Sequence, residues 1–155
     1  MDGARDEKGD VWIEDIDPLS ADTLRRMPEW LDSRDPAVRD RLLPPAYEDP
    51  EDEKQWRRFG APELEHLFAS RLEIIRKDLA SLERTADGSL RLRIPRAHEA
   101  AWLSSLNAVR HTLFILNRLT EADMAAPLGE MRDLAKLEPL IRINLLAHIQ
   151  QLLID

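Results

Sequence analysis

Apolar residues recur at helical spacing most regularly in residues 97–119, AHEAAWLSSLNAVRHTLFILNRL. On a helical wheel, the apolar side chains of this stretch fall within about 80° of Leu106. They form one face, which consists of Trp102, Leu103, Leu106, Val109, Leu113 and Phe114. This pattern predicts a central helix that is nearly buried along that face.

Two further stretches show the same period. Residues 62–84 carry one apolar stripe, formed by Leu64, Phe68, Leu72, Ile75, Leu79 and Leu82. Residues 139–154 predict a closing helix with a main apolar face of Ile141, Leu145, Ile149 and Leu152. A second apolar side of the closing helix lies outside that face, and it predicts a surface for homodimerisation: Leu140, Ile143, Leu146 and Ile154.

The N-terminal third of the chain is less regular. Residues 1–10 are polar with two glycines, which predicts disorder. Residues 11–16 and the alternating segment 89–94 predict at most one short β pairing. Residues 44–50 contain three prolines, which remove amide donors and make the segment irregular. The prediction is therefore an all-α fold, a single-domain helical bundle over residues 11–155 with an irregular Pro-rich N-terminal region.

Charge narrows the classes of partner. The net charge is −8, and residues 1–60 hold 17 acids against 10 lysines and arginines. An acidic half argues against nucleic acid or an anionic membrane as the partner, because phosphate binding needs a basic surface. It favours a basic protein partner. The polar, acidic N-terminus does not resemble a signal peptide, and no apolar run is long enough to span a membrane, so a cytoplasmic location is predicted.

Two polar residues, Arg110 and Asn117, fall inside the apolar arc of the central helix, and Asn107 lies on its rim. A buried arginine needs a partner, because an unpaired buried charge costs about 3–5 kcal/mol. Three interpretations stay open. Arg110 clamps the segment 43–50 through Tyr47, Glu48 or backbone carbonyls, or extends along its stem to solvent. Alternatively, Arg110, Asn107 and Tyr47 line a cleft for a carboxylate or phosphate.

The histidines do not predict a metal site. Glu63 and His66 show the Glu-x-x-His spacing of di-iron bundles, but such sites need two of these motifs and two more glutamates. His148 falls on the apolar face of the closing helix and is predicted to be a core histidine bonded to a carbonyl. The chain has no cysteine and no nucleophile-elbow, phosphate-loop or zincin motif. No cofactor is predicted, and an enzymatic role is disfavoured.

Four segments carry a resemblance to a known family: LLPPAY at 42–47 before an acidic proline, WRRF at 56–59, WLxxLNxxR at 102–110, and RL at 118–119 before TEAD. Over residues 20–153 the chain resembles the bacterial domain-of-unknown-function family number two thousand and seventeen. The resemblance implies a mostly helical small protein without an assigned activity. It also implies a link to Clp-type proteolysis, because some relatives are encoded near a Clp-protease adaptor. His111 departs from the pattern, since relatives often carry a small residue after Arg110.

Two functions are consistent with these residues. The first is a non-enzymatic protein-interaction module, an adaptor or regulator, as the absence of catalytic motifs and the surplus of apolar helix surface indicate. The alternative is a small-anion or metabolite-binding or enzymatic domain with a cleft around Arg110, Asn107 and Tyr47. Arg110, Asn117 and His148 are predicted to form a polar core in the first case.

Overall fold

A computed structural model of the protein describes residues 1–42 and 48–155. Its strands are β1 (Asp2–Arg5), β2 (Val11–Ile16), β3 (Glu83–Arg84) and β4 (Leu90–Ile94). Its helices are α1 (Pro18–Leu31), α2 (Pro36–Leu42), α3 (Pro50–Gln55), α4 (Ala61–Leu79), α5 (Glu99–Leu116), α6 (Glu121–Ala125) and α7 (Leu134–Ile154). A π-helical turn, Trp56–Gly60, joins α3 to α4, and 3-10 turns occupy Arg96–His98 and Leu128–Glu130.

The fold is mostly helical, as predicted, but it is not purely all-α. The strands form an antiparallel sheet in the order β1-β2-β4-β3. The prediction of at most one short β pairing is therefore wrong. In β2 and β4 the inward side chains alternate with half-exposed ones, as expected of a sheet with one face against a core.

The first strand lies in residues 1–10, where the composition predicts disorder. Every residue of β1 is exposed, so its order comes from pairing with β2 rather than from apolar burial. The turn that joins the two strands is closed by Asp6, whose carboxylate accepts bonds from the amides of Lys8 and Asp10. Gly9 takes the positive φ of 86° that this turn requires.

Helix α5 occupies the centre of the core, as its period predicts. Trp102, Leu106 and Val109 are fully buried, and the helix packs against α1, α4 and α7. Burying each such side chain stabilises the fold by about 1.5–3 kcal/mol.

A buried carboxylate joins α4 to α5. Asp78 is 5% exposed and lies near the end of α4. Its carboxylate accepts a hydrogen bond of 2.8 Å from the indole N–H of Trp102, and the Nδ1 atom of His98 lies 2.8 Å from it. Asp78 and Trp102 are 24 residues apart in the chain, so no helical spacing predicts this contact.

The orientation of α7 differs from the prediction. Leu140, Ile143 and Leu146 are buried in the core, so most of the apolar side that was predicted to mediate homodimerisation is the core side. Only Ile154 of that set is exposed. Of the predicted main face, Ile149 is buried in the core, while Ile141, Leu145 and Leu152 are half-buried. Leu152 lies against Gly3 of β1, where a Cβ would approach it to 3.2 Å.

Residues 48–74, which comprise α3, the π-helical turn and most of α4, contain no buried side chain. Their apolar residues are nevertheless numerous. Phe59 is 62% exposed and Leu67 is 43% exposed, while Leu64, Phe68 and Leu72 of the predicted stripe are half-buried. We call residues 48–74 the arm.

Within the described ranges, no helix has the length and apolarity that crossing a membrane requires.

Candidate functional site

A pocket of about 420 Å³ opens beside the C-terminal half of α5. Five of its lining residues come from one side of α5, at the spacing of three and four that brings helical side chains together. The others come from α2, α6 and α7. The lining consists of Arg41, Asn107, Arg110, His111, Phe114, Ile115, Glu121, Met124 and Ile143.

Arg110 is half-buried in this lining and has only a neutral partner among the described residues. Its Nη1 atom donates to Oε1 of Gln150 on α7, at 2.7 Å. Its Nε atom is buried and has no hydrogen-bond acceptor in the part of the chain that the structure describes. No described carboxylate lies within ion-pair distance of it. The guanidinium is therefore positioned by Gln150, but its charge is not offset by that contact.

His111 has a lowered pKa in this pocket. Its pKa lies below the ordinary value of 6.5, first because burial disfavours the imidazolium and second because Arg41 and Arg110 repel it. The imidazole is therefore neutral at pH 7 and can donate one hydrogen bond and accept another. Arg41 reaches the pocket from the exposed end of α2.

The structure brings together two of the three residues that the sequence predicts for a cleft. Asn107 lies one helical turn before Arg110 and is exposed at the rim of the pocket. Tyr47 lies outside the described residues, and so does most of the segment 43–50 that Arg110 was predicted to clamp. Arg41, His111 and Gln150 were not predicted as site residues. Of these three residues, only His111 stands out in the sequence, because it departs from the small residue that relatives often carry after Arg110.

Most polar side chains of this lining are hydrogen-bond donors. Two arginines and an amide offer N–H donors, whereas Glu121 is the one carboxylate among the described lining residues. Paired arginines and an amide are the groups that recognise carboxylates and phosphates.

Of the predicted polar core, Asn117 lies at the C-terminal end of α5, where its side-chain amide donates to the carbonyl of Leu113. His148 is exposed, so its interpretation as a core histidine is wrong. His148 lies on the side of α7 away from the buried residues Ile143 and Leu146, although its Nε2 atom does lie 3.2 Å from the carbonyl oxygen of Met1. The described histidines and acids form no group of three or more that could hold a metal ion.

The fully buried arginine of this fold is Arg142 rather than Arg110. It is 6% exposed, donates to Thr23 and Glu138, and forms an ion pair with Asp22. Its guanidinium carbon lies 5.8 Å from the centre of the Trp30 ring. The sequence signal for this contact is the spacing of Glu138 and Arg142, which lie four residues apart on one helix.

Comparison with known proteins gives one match. A family model described as Domain of unknown function (DUF2017) matches residues 5–155, which is nearly the whole chain. This match confirms the resemblance that the four sequence segments carry. No curated protein and no solved structure was found to match the chain.

Proposed function

The chain belongs to the DUF2017 family, whose description assigns no activity, and we propose that it binds a small anionic ligand in the pocket beside α5. The observation that carries the proposal is Arg110, a half-buried cation whose Nε atom has no described acceptor. Arg41 faces the same space, and Asn107 lies at its rim.

The unpaired charge of Arg110 favours an anion, because its one described partner, Gln150, is neutral. Hydrogen bonds from a guanidinium to a carboxylate or phosphate are charge-assisted and stronger than bonds to a neutral amide. An anion that accepts from the guanidinium of Arg110 would offset the charges of Arg110 and Arg41 at once. The neutral state of His111 fits the same role, because its N–H can donate to the anion without adding to the repulsion between cations.

The proposal is one of binding, not of catalysis. A volume of about 420 Å³ lies in the range of small-molecule sites, roughly 300–1,000 Å³. The polar groups at Asn107, Arg110 and His111 suit holding and orienting a ligand. We therefore assign the pocket a ligand-binding role.

Calorimetric titration tests the proposal. Acetate, succinate and inorganic phosphate would be titrated separately at constant ionic strength into the wild-type protein and into Arg110→Gln and Arg41→Gln. We expect at least one anion to bind, and each substitution to weaken it by tenfold or more. Arg25→Gln, an exposed arginine on α1, is the matched control and should bind as wild type does. Binding that Arg110→Gln leaves unchanged contradicts the proposal.

A second candidate function is a cytoplasmic protein-interaction module, an adaptor or regulator, that uses the arm. The supporting observation is that no side chain from 48 to 74 is buried although Phe59 and Leu67 are strongly exposed. Residues 48–69 carry seven acids against three lysines and arginines. An apolar surface with acidic flanks fits a basic amphipathic helix of a partner protein. A link of that partner to Clp-type proteolysis rests on the family resemblance alone.

This second function is tested with a synthetic basic amphipathic helix, labelled with a fluorophore and followed by anisotropy. We expect binding that Phe59→Ser and Leu67→Ser weaken and that Leu128→Ser, equally apolar but outside the arm, does not. Light scattering on the free protein provides the competing outcome. A dimer that the two arm substitutions dissociate would show that a second copy, rather than a basic helix, covers the arm.

A further inference from the structure

The side of the pocket that α5 forms changes from polar to apolar along the helix. Along α5 the polar lining residues are Asn107, Arg110 and His111, and the apolar ones, Phe114 and Ile115, follow one helical turn later. One turn displaces the two groups by about 5–6 Å along the helix axis. The lining residues of α5 are therefore polar in one turn and apolar in the next.

Residues from other helices extend the apolar part. Ile143 of α7 is 2% exposed, and Met124 of α6 is 39% exposed. Both line the pocket, together with Phe114 and Ile115 of α5. Ile143 is already buried, but a ligand that carried only charge would leave the exposed parts of Met124, Phe114 and Ile115 in contact with water. A ligand with a hydrocarbon part would bury them, at a gain proportional to the area removed from water.

Glu121 limits the charge of that hydrocarbon part. It is the first residue of α6, which follows the C-terminal, apolar end of α5 in the chain, and it lines the pocket. A second anionic group on the ligand would meet its carboxylate, and like charges in a partly buried site repel each other. The arrangement favours one anionic group on the ligand and a neutral remainder.

From this gradient, and resting on the anion site proposed above, we infer that the ligand class is an amphipathic monocarboxylate, a short aliphatic or aromatic acid, and not inorganic phosphate. The carboxylate binds between Arg110 and Arg41, where it accepts from the guanidinium of Arg110. The hydrocarbon part lies along Phe114, Ile115 and Met124. No bond is made or broken in this step.

Four probes separate the contributions of charge and hydrocarbon: acetate, hexanoate, hexanol and inorganic phosphate, each titrated calorimetrically at pH 7 and constant ionic strength. Hexanoate carries four more methylene groups than acetate. Each buried methylene contributes about 0.8 kcal/mol, which is about fourfold in affinity, so roughly 200-fold is the upper bound. We expect hexanoate to bind at least tenfold more tightly than acetate, phosphate and hexanol.

The outcomes test the monocarboxylate inference and the anion site separately. If phosphate binds as tightly as hexanoate, the monocarboxylate inference is overturned while the anion site stands. If no anion binds, or hexanol matches hexanoate, the anion site itself is overturned. A further test uses Met124→Ser, which should weaken hexanoate about threefold or more and leave acetate unchanged. Leu128→Ser is the control, because Leu128 is similarly exposed at 37% but does not line the pocket. Equal effects of both substitutions on hexanoate would overturn the inference.

Discussion

Replacing Asp78 by alanine should destabilise the protein more than any surface substitution on the same helix. The indole N–H of Trp102, whose residue is 0% exposed, would lose its acceptor. An unsatisfied buried donor costs about 1–3 kcal/mol. The bond with His98 contributes about 0.5–1.5 kcal/mol more, because that side chain is 22% exposed and can be partly hydrated. Part of this loss is offset, because the variant no longer buries the charge of Asp78. We expect a net loss of about 2–3 kcal/mol.

Urea unfolding followed by circular dichroism measures this loss as a difference in the free energy of unfolding. Asp78→Asn keeps one carbonyl oxygen for Trp102 and should cost less than Asp78→Ala. Glu73→Ala is the matched control, since Glu73 lies on the exposed side of α4 and its ion pair with Arg76 is a surface pair. The control should change stability by less than about 0.5 kcal/mol. A loss of that small size for Asp78→Ala would refute the argument that this carboxylate holds α4 to α5.

Three further predictions concern stability and use the same unfolding assay. Arg142→Ala should lower the free energy of unfolding by about 3–5 kcal/mol. Arg142→Met should lower it less, because an apolar side chain of similar length refills the volume and Asp22 and Glu138 can return to water. Equal losses for the two variants would contradict this. Asp17→Ala should cost about 1 kcal/mol, because the side chain of Asp17 caps α1 by accepting from the amide of Ser20; no loss would contradict it. Stability should fall from about pH 4 to pH 2, because hydrogen bonds from Thr85 and Ser89 lower the pKa of Asp87 from 3.8 to about 2. Because the pKa of Asp87 is lower in the folded than in the unfolded protein, its carboxylate stabilises the fold above the unfolded value of 3.8. This stabilisation is lost as the pH falls through the folded value of about 2. A stability that did not change over this range would contradict the assignment.

The position of α5 could be predicted because the information is local. Its core side chains, including Trp102, Leu106 and Val109, recur at one period, and any helix with that period turns the same face inward. Asn107 and Arg110 are on the same helix, so their proximity follows from spacing alone. The pocket residue Arg41 comes from α2, and no spacing within one helix could place it there.

The orientation of α7 could not be predicted for a different reason. Apolar residues surround most of this helix, so several faces satisfy the helical period equally well. The packing of α5 and of β1 against α7 determines which face is buried. That choice also decides the environments of Arg142 and His148. The pairing of β1 was unpredictable because its residues, Asp2–Arg5, show no apolar alternation.

The most direct test of the anion site is the pKa of His111, measured by NMR titration of its imidazole resonances. In the free protein this pKa should lie below 6.5, because burial and the charges of Arg41 and Arg110 disfavour the imidazolium. Saturation with the tightest-binding anion of the calorimetric panel should raise the pKa of His111, because the bound negative charge offsets both arginines. By linkage, the same anion should bind more tightly as pH falls through that pKa. A pKa of His111 that is the same with and without saturating anion would contradict the account.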